Sequence, residues 1–428
     1  MARKMKDSGI EWIGEIPEGW EVAPVRSCFD EVRTKNTDGQ EQNALQFKSG
    51  NIISKANFNA NIDDYVADTI TNYTVVLPDT VMINGLNLNY DFKSLRVALV
   101  KEKGVITSAY LAIFPDRKKI FPQYATYLFK GYETKMAFHN MGAGIRKTLG
   151  YKEFKNQPLL LPSKEEQNKI SAYLDSKCSH IDIMLSKIRS SIEEYKKLKQ
   201  AVITQAVTKG VRGEREMKDS GVEWIGAIPK DWEIKRLKSF CTIVDCKNRT
   251  PDVFPDGKYT VVRTTCIKDC SFSYEGSYQT DTTNFKAWTL KGQPHKGDIF
   301  FTREAPVGEA CLVPNADNLC MGQRVMFFRP EDNSDARYIM YSIYGPLVRE
   351  YIASKNSGST VGHLKLGQVA CIPIFYCPPL EQKEIADYLD AKCAEINGLI
   401  AKKEQLVKEL ESYKKSLIYE VVTGKREV

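Results

Sequence analysis

MKDSGIEWIGEIPEGWEV, residues 5–22, returns as MKDSGVEWIGAIPKDWEI at residues 217–234, and thirteen of the 18 positions are identical at an offset of 212. A second pair follows it. QNKISAYLDSKC at 167–178 matches QKEIADYLDAKC at 382–393 in seven of 12 positions, at an offset of 215. Both offsets lie beside half of the 428-residue length, so one unit of box, intervening region and helix start is written twice. Units this long each hold their own core and are not solenoid repeats. Two like units in one chain predict a pseudo-two-fold pair, the intramolecular form of an isologous dimer.

Working outward, the regions between the boxes have diverged. Both carry β-rich runs, Tyr73–Leu77 and Val81–Ile83 in the first, Tyr259–Arg263 and Asp298–Thr302 in the second. Pro78-Asp79, Pro255-Asp256-Gly257 and Lys296-Gly297-Asp298 supply turns, and helical patterns follow near Tyr124–Lys135 and Asp335–Tyr351. Each region reads as a small mixed-sheet domain.

After each region the period changes. Leu174, Ile181, Ile188, Tyr195 and Val202 recur every seven residues, with Cys178, Leu185, Ile192 and Ala206 between them and Lys199 as a polar break. The second copy has Leu389, Cys393, Ile396, Ile400, Val407, Leu410, Leu417 and Val421, interrupted by Lys403 and Lys414. This is a coiled-coil seam. Pro162 and Pro378-Pro379 mark the starts, and Thr208-Lys209-Gly210 and Thr423-Gly424-Lys425 the stops. Two helices of roughly 40 residues, each about 60 Å long, pair most simply antiparallel with each other. The fold class is therefore α+β: two mixed-sheet domains joined by two long antiparallel helices. The segments are 1–22 (box), 23–163 (first domain), 164–210 (central helix), 211–232 (second box), 233–378 (second domain) and 379–428 (C-terminal helix).

Composition sets limits. With 42% hydrophobic and 27% charged residues the chain is a folded protein, and its charge of +7 permits a polyanionic partner without requiring one. Met1 to Trp20 lacks the apolar core of a secretory signal, and no run approaches the length of a spanning helix. A cytoplasmic protein without a membrane contact is expected. Eleven cysteines form no CxxC pair and no zinc spacing, so buried thiols are expected and no metal. Gly142-Ala143-Gly144-Ile145-Arg146-Lys147-Thr148 lacks the glycine before lysine of a Walker A loop, and His139, His180, His295 and His363 stand in no catalytic context. No catalytic residue is proposed. A binding or assembly protein is expected over an enzyme.

Candidate contacts to nucleic acid sit at matching places in the two copies. The first region offers Asn84 and Asn87 after the strand Val81–Ile83, and Arg146, Lys147 and Thr148 before Leu149. The second offers Arg263 and Thr264, Arg303, Gln323 and Arg324, then Ser359, Thr360 and Lys365. Arginine and glutamine read guanine and adenine edges bidentately, while Ser/Thr/Gly segments donate to phosphates. Each alone reads first as a solvated surface charge or a turn; their matched placement carries the reading.

The repeated WIGxIPxxW boxes, the YLDxK helix starts and the VTxG-like helix ends, together with Gly104–Tyr110, Lys296–Arg303 and Gly322-Gln323-Arg324, resemble the specificity subunit of Type I restriction–modification systems. Pro78-Asp79-Thr80 stands where that family has a Gly-Asp turn. The resemblance implies two target-recognition domains, each reading one half of a bipartite, interrupted site in double-stranded DNA. It implies a helix pair that spaces them and docks two methyltransferase subunits, and two restriction subunits completing the nuclease. Leu174, Ile181, Ile188, Tyr195, Leu389, Ile396, Leu410 and Leu417 are then the subunit-interface residues on the helices. The chain itself holds no cofactor, and S-adenosylmethionine belongs to the methyltransferase, into which the target adenine is flipped. Domains about one helical turn apart, roughly 34 Å, can enter successive major grooves. Two other readings remain at this point: a stand-alone nuclease and a protein-interaction scaffold.

Overall fold

The computed structural model describes residues 3–55, 70–93, 95–142, 144, 147–356 and 362–428. Of the predicted contacts, Arg146, Ser359 and Thr360 lie outside the described residues. The chain divides into two compact units, 1–189 with 405–428 and 190–404. The two long helices, Lys164–Lys209 and Pro379–Val422, each contribute one part to each unit.

In the first unit the strands Met5–Asp7 and Glu15–Pro17 form the hairpin of the box, and Glu21–Pro24 pairs antiparallel with Pro158–Leu161. A four-stranded antiparallel sheet runs in the order Phe29–Glu31, Leu111–Pro115, Val81–Ile83, Val97–Leu99. Within the box, Ile13, Ile16 and Trp20 share one core with Phe29, Phe129, Leu159, Leu174 and Val422. Asp79 occupies the left-handed region at φ 75°, doing the work of the missing turn glycine, and Thr80 Oγ1 accepts the Leu77 N–H at 3.3 Å.

The second unit repeats this order with different residues. Met217–Asp219 pairs with Ala227–Pro229, and Glu233–Arg236 with Pro373–Tyr376. Its four-stranded sheet runs Cys241–Val244, Val325–Pro330, Ile299–Arg303, Val307–Leu312. A further sheet sets Tyr259–Val262 between Tyr278–Thr280 and, in parallel, Leu319–Met321. Divergent sequences thus keep one strand order in the four-stranded sheet, whose inner strands Val81–Ile83 and Ile299–Arg303 are buried at every position. The single helical pattern over Asp335–Tyr351 is two helices, Ala336–Ile343 and Pro346–Asn356. Gly345 and Pro346 break the run, since proline starts a helix and cannot continue one. Asp335 caps the first, accepting the N–H groups of Arg337 and Tyr338.

Within each unit the parts of the two helices are antiparallel. In the first, Lys414 Nζ donates to Asp182 at 2.6 Å and Arg189 pairs with Glu411 at 2.5 Å. In the second, Lys199 Nζ donates to Asn397 Oδ1 at 3.0 Å and Lys403 lies 5.5 Å from the Tyr195 ring centre. The three lysines that interrupt the apolar repeat therefore each face a polar or aromatic partner. Polar positions of this kind fix the register of a seam at some expense in stability.

Candidate nucleic-acid interface

In the first unit the polar loop after Val81–Ile83 is built around a buried arginine. Arg96 donates from Nη1 to the carbonyls of Asn84 and Leu86, both at 2.9 Å, and from Nη2 to the carbonyl of Asp91. The Asn84 side chain is spent inside the turn, accepting the Leu86 N–H at 3.2 Å, whereas Asn87 is exposed at φ 51°. The segment before Leu149 lies alongside: Leu88 N–H donates to the Lys147 carbonyl at 3.1 Å and Leu149 N–H to the Gly85 carbonyl at 2.9 Å. A Cβ on Gly85 would lie 2.5 Å from the Leu149 carbonyl oxygen, so glycine is what permits this approach. Asn84, Asn87, Lys147 and Thr148 are thus brought together, with Lys147 and Thr148 exposed.

Glu133 supports the same loop from below, accepting the Arg96 backbone N–H. Burial pushes its carboxyl up to about 7, against the hydrogen bond from the Arg96 backbone and the charges of Arg96 and Lys130. A carboxyl raised above its ordinary value near 4.5 favours the folded state most when protonated. This contribution is complete below about pH 4.5 and is lost as pH rises through about 7. We expect Glu133→Gln to flatten the stability change of this unit between pH 5 and pH 8 by on the order of 1–2 kcal/mol, solvent at a half-buried site reducing the full effect. Chemical denaturation at both pH values measures it, and an unchanged pH dependence would refute the assignment.

In the second unit, parallel strands deliver two candidates side by side. Arg263 follows Val262 and Gln323 follows Gly322, whose N–H donates to the Val262 carbonyl at 2.8 Å. Arg263, Gln323 and Arg324 are exposed, and Thr264 is half-buried in the turn that follows. Arg324 joins the segment before the next helix through Glu304, which lies 3.4 Å from Arg324 Nε and 3.4 Å from His363 Nδ1. Leu364 N–H donates to the Arg303 carbonyl at 3.0 Å, the counterpart of Leu149 with Gly85. Lys365 is exposed and its N–H donates to Gln368 Oε1 at 2.8 Å, opening the helix Leu366–Ala370.

Arg303 does not face outward. Only 8% exposed, it donates from Nη1 to Asp245 at 3.0 Å and from Nη2 to Asn248 Oδ1 at 2.8 Å. It is an inner strut for the loop Asp245–Thr250, which carries exposed Asn248, Arg249 and Thr250. That loop went unread in the sequence. A signal for it exists: Lys247-Asn248 repeats Lys35-Asn36 at the box offset of 212. Nine of the eleven cysteines are buried, and burial pushes the Cys246 thiol up to about 11 and the Cys320 thiol up to about 12. Among the described residues no three His, Cys, Asp or Glu side chains are grouped to hold a metal ion, and no helix is long and apolar enough to cross a membrane.

The profile described as the type I restriction modification DNA specificity domain matches residues 229–409. Over 426 residues the chain is 24% identical to a putative type I restriction enzyme MjaX specificity subunit of Methanocaldococcus jannaschii, covering 96% of this chain and 95% of that one. The type I restriction enzyme MjaVIII specificity subunit of the same organism is 23% identical, covering 96% and 93%. The part of the chain around the second unit matches this DNA specificity domain, and nearly the whole chain is similar to type I restriction enzyme specificity subunits. Its fold matches a chain from a structure of the type I R-M system reported for complex assembly and conformational transition, with TM-score 0.68, 16% identity, and 96% and 99% of the two chains covered.

On the two long helices, the seam residues close the seam itself. Leu174, Ile181, Leu389, Ile396 and Leu417 are buried within their own units, and Ile188, Tyr195 and Leu410 are half-buried. Of the eight residues expected to contact another subunit, the five buried ones are enclosed within their own unit, and the other three keep part of their surface. Exposed apolar groups on the same helices are Ile183, Met184, Leu198, Leu380, Tyr388, Leu406 and Tyr413.

Proposed function

We propose that this specificity subunit reads a bipartite, interrupted target in double-stranded DNA, one half through each recognition domain, and scaffolds two methyltransferase and two restriction subunits in the cytoplasm. The observation that carries the reading is a repeated constellation. In each unit the end of a central sheet strand meets the polar segment preceding a short helix, by Leu149 with Gly85 and by Leu364 with Arg303. The two copies present different side chains on that frame, which is what reading two different half-sites requires. The subunit binds and positions, while the methyl donor S-adenosylmethionine and the strand-cleaving chemistry reside in the partners.

With a net charge of +7 on 428 residues, DNA affinity of the isolated subunit is modest and the methyltransferases complete the clamp. Methylation mapping of the host genome, with and without this gene, should show loss of one interrupted adenine-methylation motif. Duplex binding by the assembled complex should fall steeply and linearly on a log–log plot against salt. A salt-independent interaction, or metal-dependent cleavage of DNA by the purified chain alone, would sink the reading.

A further inference from the structure

The loop Asp245–Thr250 of the second unit is held in place by side chains from three other segments. Arg303 grips Asp245 and Asn248 from inside the sheet. Gln323 Nε2 donates to the Asn248 carbonyl at 3.3 Å, while Gln323 Oε1 accepts the Thr250 hydroxyl at 3.4 Å. Trp288 Nε1 donates to the Arg249 carbonyl at 3.1 Å, and its ring centre lies 4.7 Å from Lys247 Nζ and 5.8 Å from Arg249 Cζ. Just beyond, Tyr278 OH donates to the Pro251 carbonyl at 2.8 Å. Exposed loops are ordinarily left to solvent. One fixed by a buried arginine, an amide and an indole is preorganised, and preorganisation removes an ordering cost from binding.

The hydrogen bonds also decide which side chain is available. Asn248 has its Oδ1 committed to Arg303, so it cannot make the two-point contact by which an amide reads adenine. Gln323 is committed at both ends of its amide, which makes it a positioning residue in spite of its exposure. Arg249 is exposed and has no carboxylate partner among the described residues, and its guanidinium is restrained only by the Trp288 face. A guanidinium fork of this kind matches guanine O6 and N7 in the major groove. Arg303, one of the candidate contacts offered by the sequence, is the internal brace that aims the loop.

We propose that Arg249 is the guanine-reading side chain of the second recognition domain, with Arg303, Gln323 and Trp288 as its positioning residues. The assignment rests on the DNA-recognition reading above. It is tested in the host, with the full subunit expressed beside its own methyltransferase and the genomic DNA serving as probe. For Arg249→Ala, methylation mapping should show one specified guanine in one half of the motif becoming degenerate, with discrimination there falling about tenfold or more, while the other half is unchanged. Arg249→Lys, which keeps the charge and loses the fork, should give the same degeneracy with methylation retained. A motif unaltered in both halves in either variant overturns the assignment, and so does loss of all methylation in both variants. If the wild-type subunit itself specifies no interrupted motif, the parent reading fails instead, so the two failures are told apart.

Discussion

Replacing Glu381 with alanine should cost the second unit about 3–5 kcal/mol, the range for stranding one partner of a buried ion pair. Glu381 is fully buried at the first turn of the C-terminal helix, where it accepts Arg215 Nη1 at 2.5 Å and Trp232 Nε1 at 3.2 Å. Arg215 is itself mostly enclosed and lies with Cζ 5.2 Å from the Trp232 ring centre. Without the carboxylate, a guanidinium and an indole N–H lose their acceptor together. The first unit provides an internal control. Glu166 occupies the equivalent place, accepting Trp20 Nε1 at 2.9 Å and Arg3 at 2.5 Å, but its side chain is 24% exposed. Water can replace a lost partner there, so Glu166→Ala should cost only about 1–2 kcal/mol. Urea unfolding of the two variants in the full chain gives the comparison. Equal losses would mean that burial at this joint does not set the energetics.

That joint shows where sequence reading reached and where it stopped. The boxes, the seam period and the helix starts at Lys164 and Pro379 were legible because they are local: a repeat, a seven-residue period and a proline each act over a few residues. The Trp20–Glu166 and Trp232–Glu381 clamps link residues 146 and 149 positions apart, and no local pattern encodes them. The same holds for Arg96, the buried hub of a loop, which no local pattern marks out. Arg303 was visible as an arginine at a strand end, but its direction depends on Asp245 and Asn248 across the sheet. The matched polar positions were readable; which of them point outward was not.

A second pair of equivalent positions carries the other large expected effect. Gly131 lies in the buried helix Pro122–Thr134, and a Cβ built there would stand 2.5 Å from Val422 Cγ2. Gly345 follows the corresponding helix Ala336–Ile343, and its Cβ would stand 2.8 Å from Val207 Cγ2. Val207 and Val422 end the two long helices at matching places in the repeat, so each unit seats a helix end against a bare backbone. Alanine at position 131 would add helix propensity worth up to about 1 kcal/mol. Overpacking an enclosed valine costs about 1–3 kcal/mol, and we expect it to win. Gly131→Ala should therefore destabilise the first unit, and combining it with Val422→Ala should recover about 1–2 kcal/mol relative to additivity. Gly345→Ala has a second obstacle, the Ser342 carbonyl oxygen at 3.0 Å, which trimming a side chain cannot move. Val207→Ala should accordingly rescue Gly345→Ala less completely than Val422→Ala rescues Gly131→Ala. Double-mutant cycles by urea denaturation measure both couplings, and additive losses at both glycines would show that the helix ends are not seated by this close approach.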